Sequence, residues 1–325
     1  MAKEETRERG AIAVQEPASR AAHGIPKPSA GVHIALALCS AVLLGFCIAA
    51  APPGAMQNAG AVGTGVVLLL AILQLPATYW HHRGSAERRD AALMLPWALV
   101  LAVLMAQMAR TASTLTFPLR DDLWRDLDAH LGISVPAMMA WAGRHPALKT
   151  LLADCYALTQ PFLVIAMFVP PLLGKREAAE RFYVANAVSF VIALPIVAML
   201  PAVGPWVGWH FAPDTMQRIC EESIDTLRQG SIRGGLFGGT ICLPSYHTFW
   251  AVTSAHALWP FRVLRYPAMA LAALILISTM TTGWHYGVDV IAGILLAVVS
   301  TGIAMAIVAG GAGRARWTNR LVAQR

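Results

Sequence analysis

The chain has 325 residues, 57% hydrophobic and only 13% charged, with a mean hydropathy of +0.56, which lies outside the range of soluble globular domains and marks a polytopic membrane protein. A net charge of +7 could suggest nucleic acid, but the Lys and Arg residues are dispersed between apolar runs and form no patch with interleaved aromatics. The five cysteines make no CxxC pair and no Cys/His metal spacing, so neither a zinc site nor a thioredoxin-like motif is supported.

In chain order, residues 1–31 mix charged residues, Pro and Ala without periodicity and read as a disordered cytoplasmic tail. Residues 32–112 hold the first apolar spans, near Val32 to Ala51, Ala61 to Trp80 and Ala91 to Thr111. Residues 113–310 form a second membrane region, with spans near Leu151 to Leu173, Phe182 to Val203, Tyr246 to Trp259, Tyr266 to Thr282 and Tyr286 to Val308; residues 311–325 read as a basic cytoplasmic tail. The spans near Tyr246 and Tyr266 are short, as expected of helices that start from a recessed site. The expected fold is therefore an all-α integral membrane protein of about eight transmembrane helices.

Two segments between the spans are too polar to cross. In Leu119 to Lys149, Leu123, Trp124, Leu127 and Leu131 recur at helical spacing opposite Asp121, Asp122, Arg125, Asp126 and Asp128, which predicts an amphipathic interfacial helix with a solvated acidic face, and a second short helix from Pro136 to Gly143. The 37 residues from Gly204 to Thr240 form the longest extramembrane loop. Cys220 and Cys242 both fall in the polar stretch that joins two spans, and could pair in an oxidising compartment. Counting cations in alternate loops places 17 Lys and Arg on one side and 8 on the other. This predicts both termini in the cytoplasm, and an outward-facing site in what is expected to be a bacterial inner membrane.

The chemistry concentrates near the outer ends of the last three spans. Pro244 suits a first helical turn and Ser245 can cap free amides, so the helix start they form could hold an anion, with His247 in its first turn. His285 and Asp289 are four residues apart, which in a helix places them on one face. A carboxylate on one ring nitrogen fixes the tautomer and leaves the other nitrogen available as a nucleophile, while His247 meets the opposite requirement, that of a proton donor.

Pro244-Ser245-x-His247, followed after a helical hairpin by Gly283-x-His285-Tyr286-x-x-Asp289-x-x-x-Gly293, resembles the second and third signatures of the type 2 phosphatidic acid phosphatase superfamily. The acidic helix near Asp121, the Pro201-Ala-Val-Gly-Pro205 corner and Trp284-His285-Tyr286 resemble its subgroup similar to inositol phosphorylceramide synthase. The resemblance implies a six-helix catalytic core and phosphoryl transfer through a phosphohistidine, without metal or other cofactor. It implies His285 as nucleophile, Asp289 as its orienting partner and His247 as the acid for the leaving oxygen. The expected partner is a membrane lipid, with a polyol or lipid alcohol as acceptor; hydrolysis of a lipid phosphate or polyprenyl diphosphate is the alternative. A transporter that relays protons is the alternative of another class, although His256 is the only ionisable residue deep along its span.

Two departures stand out. The superfamily's first signature, K-x-x-x-x-x-x-R-P, is absent, and Ser278-Thr279 stands where the third signature has Ser-Arg. A transferring phosphate still needs cations, so an outer-face arginine is expected to substitute: Arg233, directly before Gly234-Gly235, with Arg228 in reserve.

Overall fold

The computed structural model describes residues 30–50, 59–230 and 242–323, and among these there are helices and no strands. The first four helices are α1 (Ala30–Ala49), α2 (Ala59–His82), the short α3 (Ala86–Ala92) and α4 (Leu95–Thr114). Then come α5 (Asp121–His130), α6 (Val135–Gly143), α7 (Pro146–Ala157), α8 (Thr159–Leu172) and α9 (Arg176–Met199). A single turn, α10 (Pro205–Gly208), and α11 (Thr215–Arg228) precede the last three helices, α12 (Tyr246–Leu258), α13 (Arg265–Thr281) and α14 (Gly287–Ala323).

Four segments are long and apolar enough to cross a membrane: Gly31–Ala49, Ala86–Thr114, Arg176–Met199 and Gly287–Gly310. A fifth is added if α7 and α8, bent by 41° at Leu158, are one span. The chain is thus an all-helical, multi-pass protein. α12 and α13, of 13 and 17 residues, fall short of a full crossing, in keeping with the shortness read from the sequence.

α9 is the axis of the bundle. It packs on α1, α4, α8, α12 and α14, and its Tyr183 and Phe190 join Met108, Tyr246 and Phe249 in the main core. α5 and α6 lie at the end of the bundle where α14 begins: α5 packs on α10 and α14, and α6 on α13.

The segment expected to be one long loop after Gly204 contains α10 and α11. α11 is set by a capping box, in which Gln217 N–H donates to Asp214 Oδ1 at 2.8 Å and Asp214 N–H to Gln217 Oε1 at 2.9 Å. The same Gln217 donates through Nε2 to the Gly283 carbonyl at 3.0 Å, which ties α11 to the turn that carries His285.

The interfacial helix predicted after Leu119 is present as α5, and the second short helix as α6, but the faces of α5 are not as expected. Leu123, Leu127 and Leu131 are exposed (43%, 40% and 57%), the surface a helix in the membrane interface offers to lipid. Asp121 and Asp128, seven residues apart on one face, are buried instead of solvated, whereas Asp122 and Asp126 stay exposed and pair with Arg125 at 2.7 and 2.9 Å.

Candidate active site

The start of α12 is pinned to the start of α14. Ser245 Oγ accepts the Thr248 N–H at 3.3 Å as the N-cap of α12, and Ser245 N–H donates to the Asp289 carbonyl at 3.0 Å. A Cβ on Gly293 would lie 2.5 Å from the Ser245 carbonyl, so the two helices meet this closely only because glycine stands there.

His285 sits on the turn between α13 and α14, just before the helix it was expected to share with Asp289. Gly283 takes a left-handed φ of +76°, and the N–H groups of Trp284 and His285 both donate to the Thr279 carbonyl at 3.1 Å, which folds the turn back onto α13. This brings His285 Nδ1 within 3.4 Å of Asp289 Oδ2, long for a hydrogen bond, and His285 Nε2 within 3.2 Å of His247 Nδ1. The two histidines and the aspartate singled out in the sequence are thus contiguous, in the order His247, His285, Asp289.

The aspartate is crowded on one side. Its Oδ2 also accepts the Tyr286 N–H and the Cys242 thiol, each at 3.0 Å, while Oδ1 is buried without a hydrogen-bond partner. No disulfide joins Cys220 and Cys242, which corrects the pairing considered from the sequence: the Cys242 thiol is turned toward Asp289. Cys242, His285 and Asp289 each offer one ligand atom, and these lie within 4.8 Å of one another, close enough for a metal ion; here the thiol and the imidazole bond to the carboxylate.

α5 supplies the framework. Asp128 accepts the N–H of Gly287 through Oδ2 and of Val288 through Oδ1, both at 2.8 Å, and so caps α14 from a different helix. Burial pushes its carboxyl up to about 6, against the pull of these two donors and helped by the nearby Asp289 carboxylate. Asp121 accepts from the N–H groups of Val203 and Gly204 and from the Tyr286 hydroxyl at 3.0 Å; burial raises its pKa while these donors oppose the shift. The Gly287 and Val288 amides that open α14 are therefore taken by a protein carboxylate.

One wall of the site is aromatic. Tyr156 stacks on the His247 ring at 4.5 Å and on Trp284 at 6.0 Å. Beyond the histidines a cavity of about 640 Å³ opens between α4, α8, α9 and α12; its lining is mostly apolar and includes Leu101, Met105, Leu163, Phe190 and Trp250.

Of the expected phosphate ligands, Ser245 is fully buried in its capping role, and Arg233 lies outside the described residues, as do Gly234, Gly235, Gly238 and Gly239. Arg228, the reserve, donates to the carbonyls of Leu115 and Phe117 at 2.9 and 2.7 Å and so ties α11 to the segment after α4. Sequence reasoning missed Tyr156, the contact of Cys242 with Asp289 and the capping role of Asp128. The seven-residue spacing of Asp121 and Asp128 was the one available signal.

A model of the PAP2 superfamily matches residues 122–303, more than half of the chain, from α5 into α14 and across every residue of the His247, His285 and Asp289 cluster. No curated protein and no solved structure matches it.

Proposed function

The chain belongs to the PAP2 superfamily, whose members are generally phosphatases or phosphotransferases, and from that premise we propose that it transfers a phosphoryl or phosphoalcohol group on a membrane lipid through a phosphohistidine on His285. The observation that carries this reading is the line Asp289 Oδ2, His285 Nδ1, His285 Nε2, His247 Nδ1, with steps of 3.4 and 3.2 Å at the ends of one imidazole. Asp289 holds the Nδ1 proton, so the lone pair stands on Nε2 and points at His247. A phosphoryl group entering between the rings meets a nucleophile on one side and a proton donor on the other.

In the first half-reaction His285 Nε2 attacks phosphorus, the bond from phosphorus to the leaving oxygen breaks, and His247 gives that oxygen a proton. In the second an acceptor hydroxyl loses its proton to His247 and attacks phosphorus, the P–N bond breaks and its electron pair returns to His285. His285 is only 4% exposed and the adjoining cavity is mainly apolar, which limits water at the phosphoenzyme and favours an alcohol acceptor, as in an inositolphosphotransferase-like enzyme. Arg233 is the proposed cation for the phosphate, and Ser245, buried as the N-cap of α12, shapes the helix start beside it. The proposed setting is an inner membrane with the site facing outward, following the cation asymmetry of the loops.

The test is to incubate purified protein with phospholipid labelled at phosphorus and a panel of polyols and lipid alcohols. A new labelled lipid is expected. A water-soluble labelled head group as the only product would make the enzyme a hydrolase, and no turnover of any lipid would contradict the reading.

A further inference from the structure

A second polar layer lies one helical turn deeper than the histidines. On α12, Trp250 follows His247 by three residues, with ring centroids 6.4 Å apart; Gln160 stands at the start of α8, just past the 41° bend at Leu158 from the Tyr156 of α7 that stacks on His247. On α9, Asn186 accepts the Trp250 indole N–H through Oδ1 at 3.2 Å and donates to the Phe182 carbonyl at 2.9 Å. Trp250, Gln160 and Asn186 all line the cavity that runs inward from His247 and His285.

These amides have capacity to spare. Asn186 keeps one N–H and one lone pair beyond the two bonds it makes. Gln160 is accessible and makes no hydrogen bond with the described residues. An amide without a partner in an apolar wall within a membrane is unfavourable unless something polar completes it. Bulk hydrocarbon cannot do so.

We propose that Gln160 and Asn186 form a subsite that hydrogen-bonds the ester, amide or hydroxyl groups joining a lipid's phosphate to its chains, so that the enzyme selects lipids with such a linkage over polyprenyl phosphates. This rests on the lipid phosphotransfer reading above. The spacing fits: a helical turn spans about 5.4 Å, comparable to the few bonds between a lipid phosphate and its linkage groups. The apolar remainder of the cavity then holds hydrocarbon. A polyprenyl chain carries nothing to satisfy Gln160, and a site built for a hydrogen bond discriminates against a substrate that lacks the group.

The test compares three lipids carrying the same head group on a diacylglycerol, a ceramide or a polyprenol, with wild-type protein and with Gln160→Leu. Because Gln160 makes no bond with the described residues, the substitution removes only the free amide. The expected result is a higher kcat/KM for the diacylglycerol or ceramide lipid than for the polyprenyl lipid, and whichever leads names the source of the linkage. In Gln160→Leu that preference should shrink about three- to tenfold, mainly through KM, as befits loss of one neutral hydrogen bond. Equal use of all three lipids by the wild type, or an unchanged preference in Gln160→Leu, would overturn the subsite and leave the phosphotransfer reading standing. No turnover of any of the three would overturn both.

Discussion

Asp128→Asn removes the cap at the start of α14, the helix that carries Asp289. The carboxylate accepts two backbone N–H groups at 2.8 Å, one through each oxygen, and the residue is fully buried. An asparagine has one acceptor oxygen, so either Gly287 or Val288 would face an NH₂ group and lose its partner. A charge-assisted hydrogen bond contributes about 1.5 to 3 kcal/mol. Removing the negative charge from the helix N-terminus adds about 0.3 to 1 kcal/mol. The start of α14 should thus be destabilised by about 2 to 4 kcal/mol, and it carries Asp289 two residues into the helix. A reacting group displaced by about 1 Å can lose about 10²-fold in rate, so turnover should fall ten- to a hundredfold. Detergent-solubilised protein would be assayed for lipid turnover alongside its thermal unfolding midpoint. Wild-type turnover with an unchanged midpoint in Asp128→Asn would show that α5 does not position the site.

Three further outcomes are expected. Arg233→Ala should cut turnover about ten- to a hundredfold, the effect of one lost charge-assisted contact, and Arg233→Lys should recover only part; wild-type kinetics would assign the phosphate clamp elsewhere. Cys242→Ser, which keeps a donor for Asp289, should stay closer to wild-type activity than Cys242→Ala, and alkylation with and without reductant should give the same mass because no disulfide forms; a mass difference would restore the cystine. A cysteine placed at Ser231 should react with an impermeant outside reagent and one at Ser85 should not, and the reverse labelling would turn the site inward.

The membrane helices were legible because 3.6-residue geometry and apolar run length act locally: the run near Val32 reappears as α1 within two residues at each end, and those near Phe182 and Tyr286 lie in α9 and α14, although α9 starts earlier at Arg176 and α14 continues to Ala323. That His247, His285 and Asp289 would come together was legible because an imidazole or a carboxylate at the end of an apolar helix stands out. Asp128 was not, since an acid in the same short run as Asp122 and Asp126 looks solvated until the N–H groups of Gly287 and Val288, some 160 residues away, are placed against it. Cys242 misled for a related reason. Two thiols in a polar connection suggest a disulfide, and only the approach of α14 shows that one of them serves Asp289. α11 could have been found: Asp214-x-x-Gln217 is a capping-box spacing, and Ile224 and Leu227 continue an apolar face that buries both.

The most direct measurement is to quench the enzyme under alkaline conditions during turnover of a lipid labelled at phosphorus and to locate the label by mass spectrometry. The account predicts acid-labile phosphate on His285, absent in His285→Ala. In His247→Ala the label should persist with a substrate whose leaving group needs no proton, because general acid help contributes about 10²- to 10⁴-fold only where protonation is required. Turnover without label on His285, or label on His247 in its place, would contradict it.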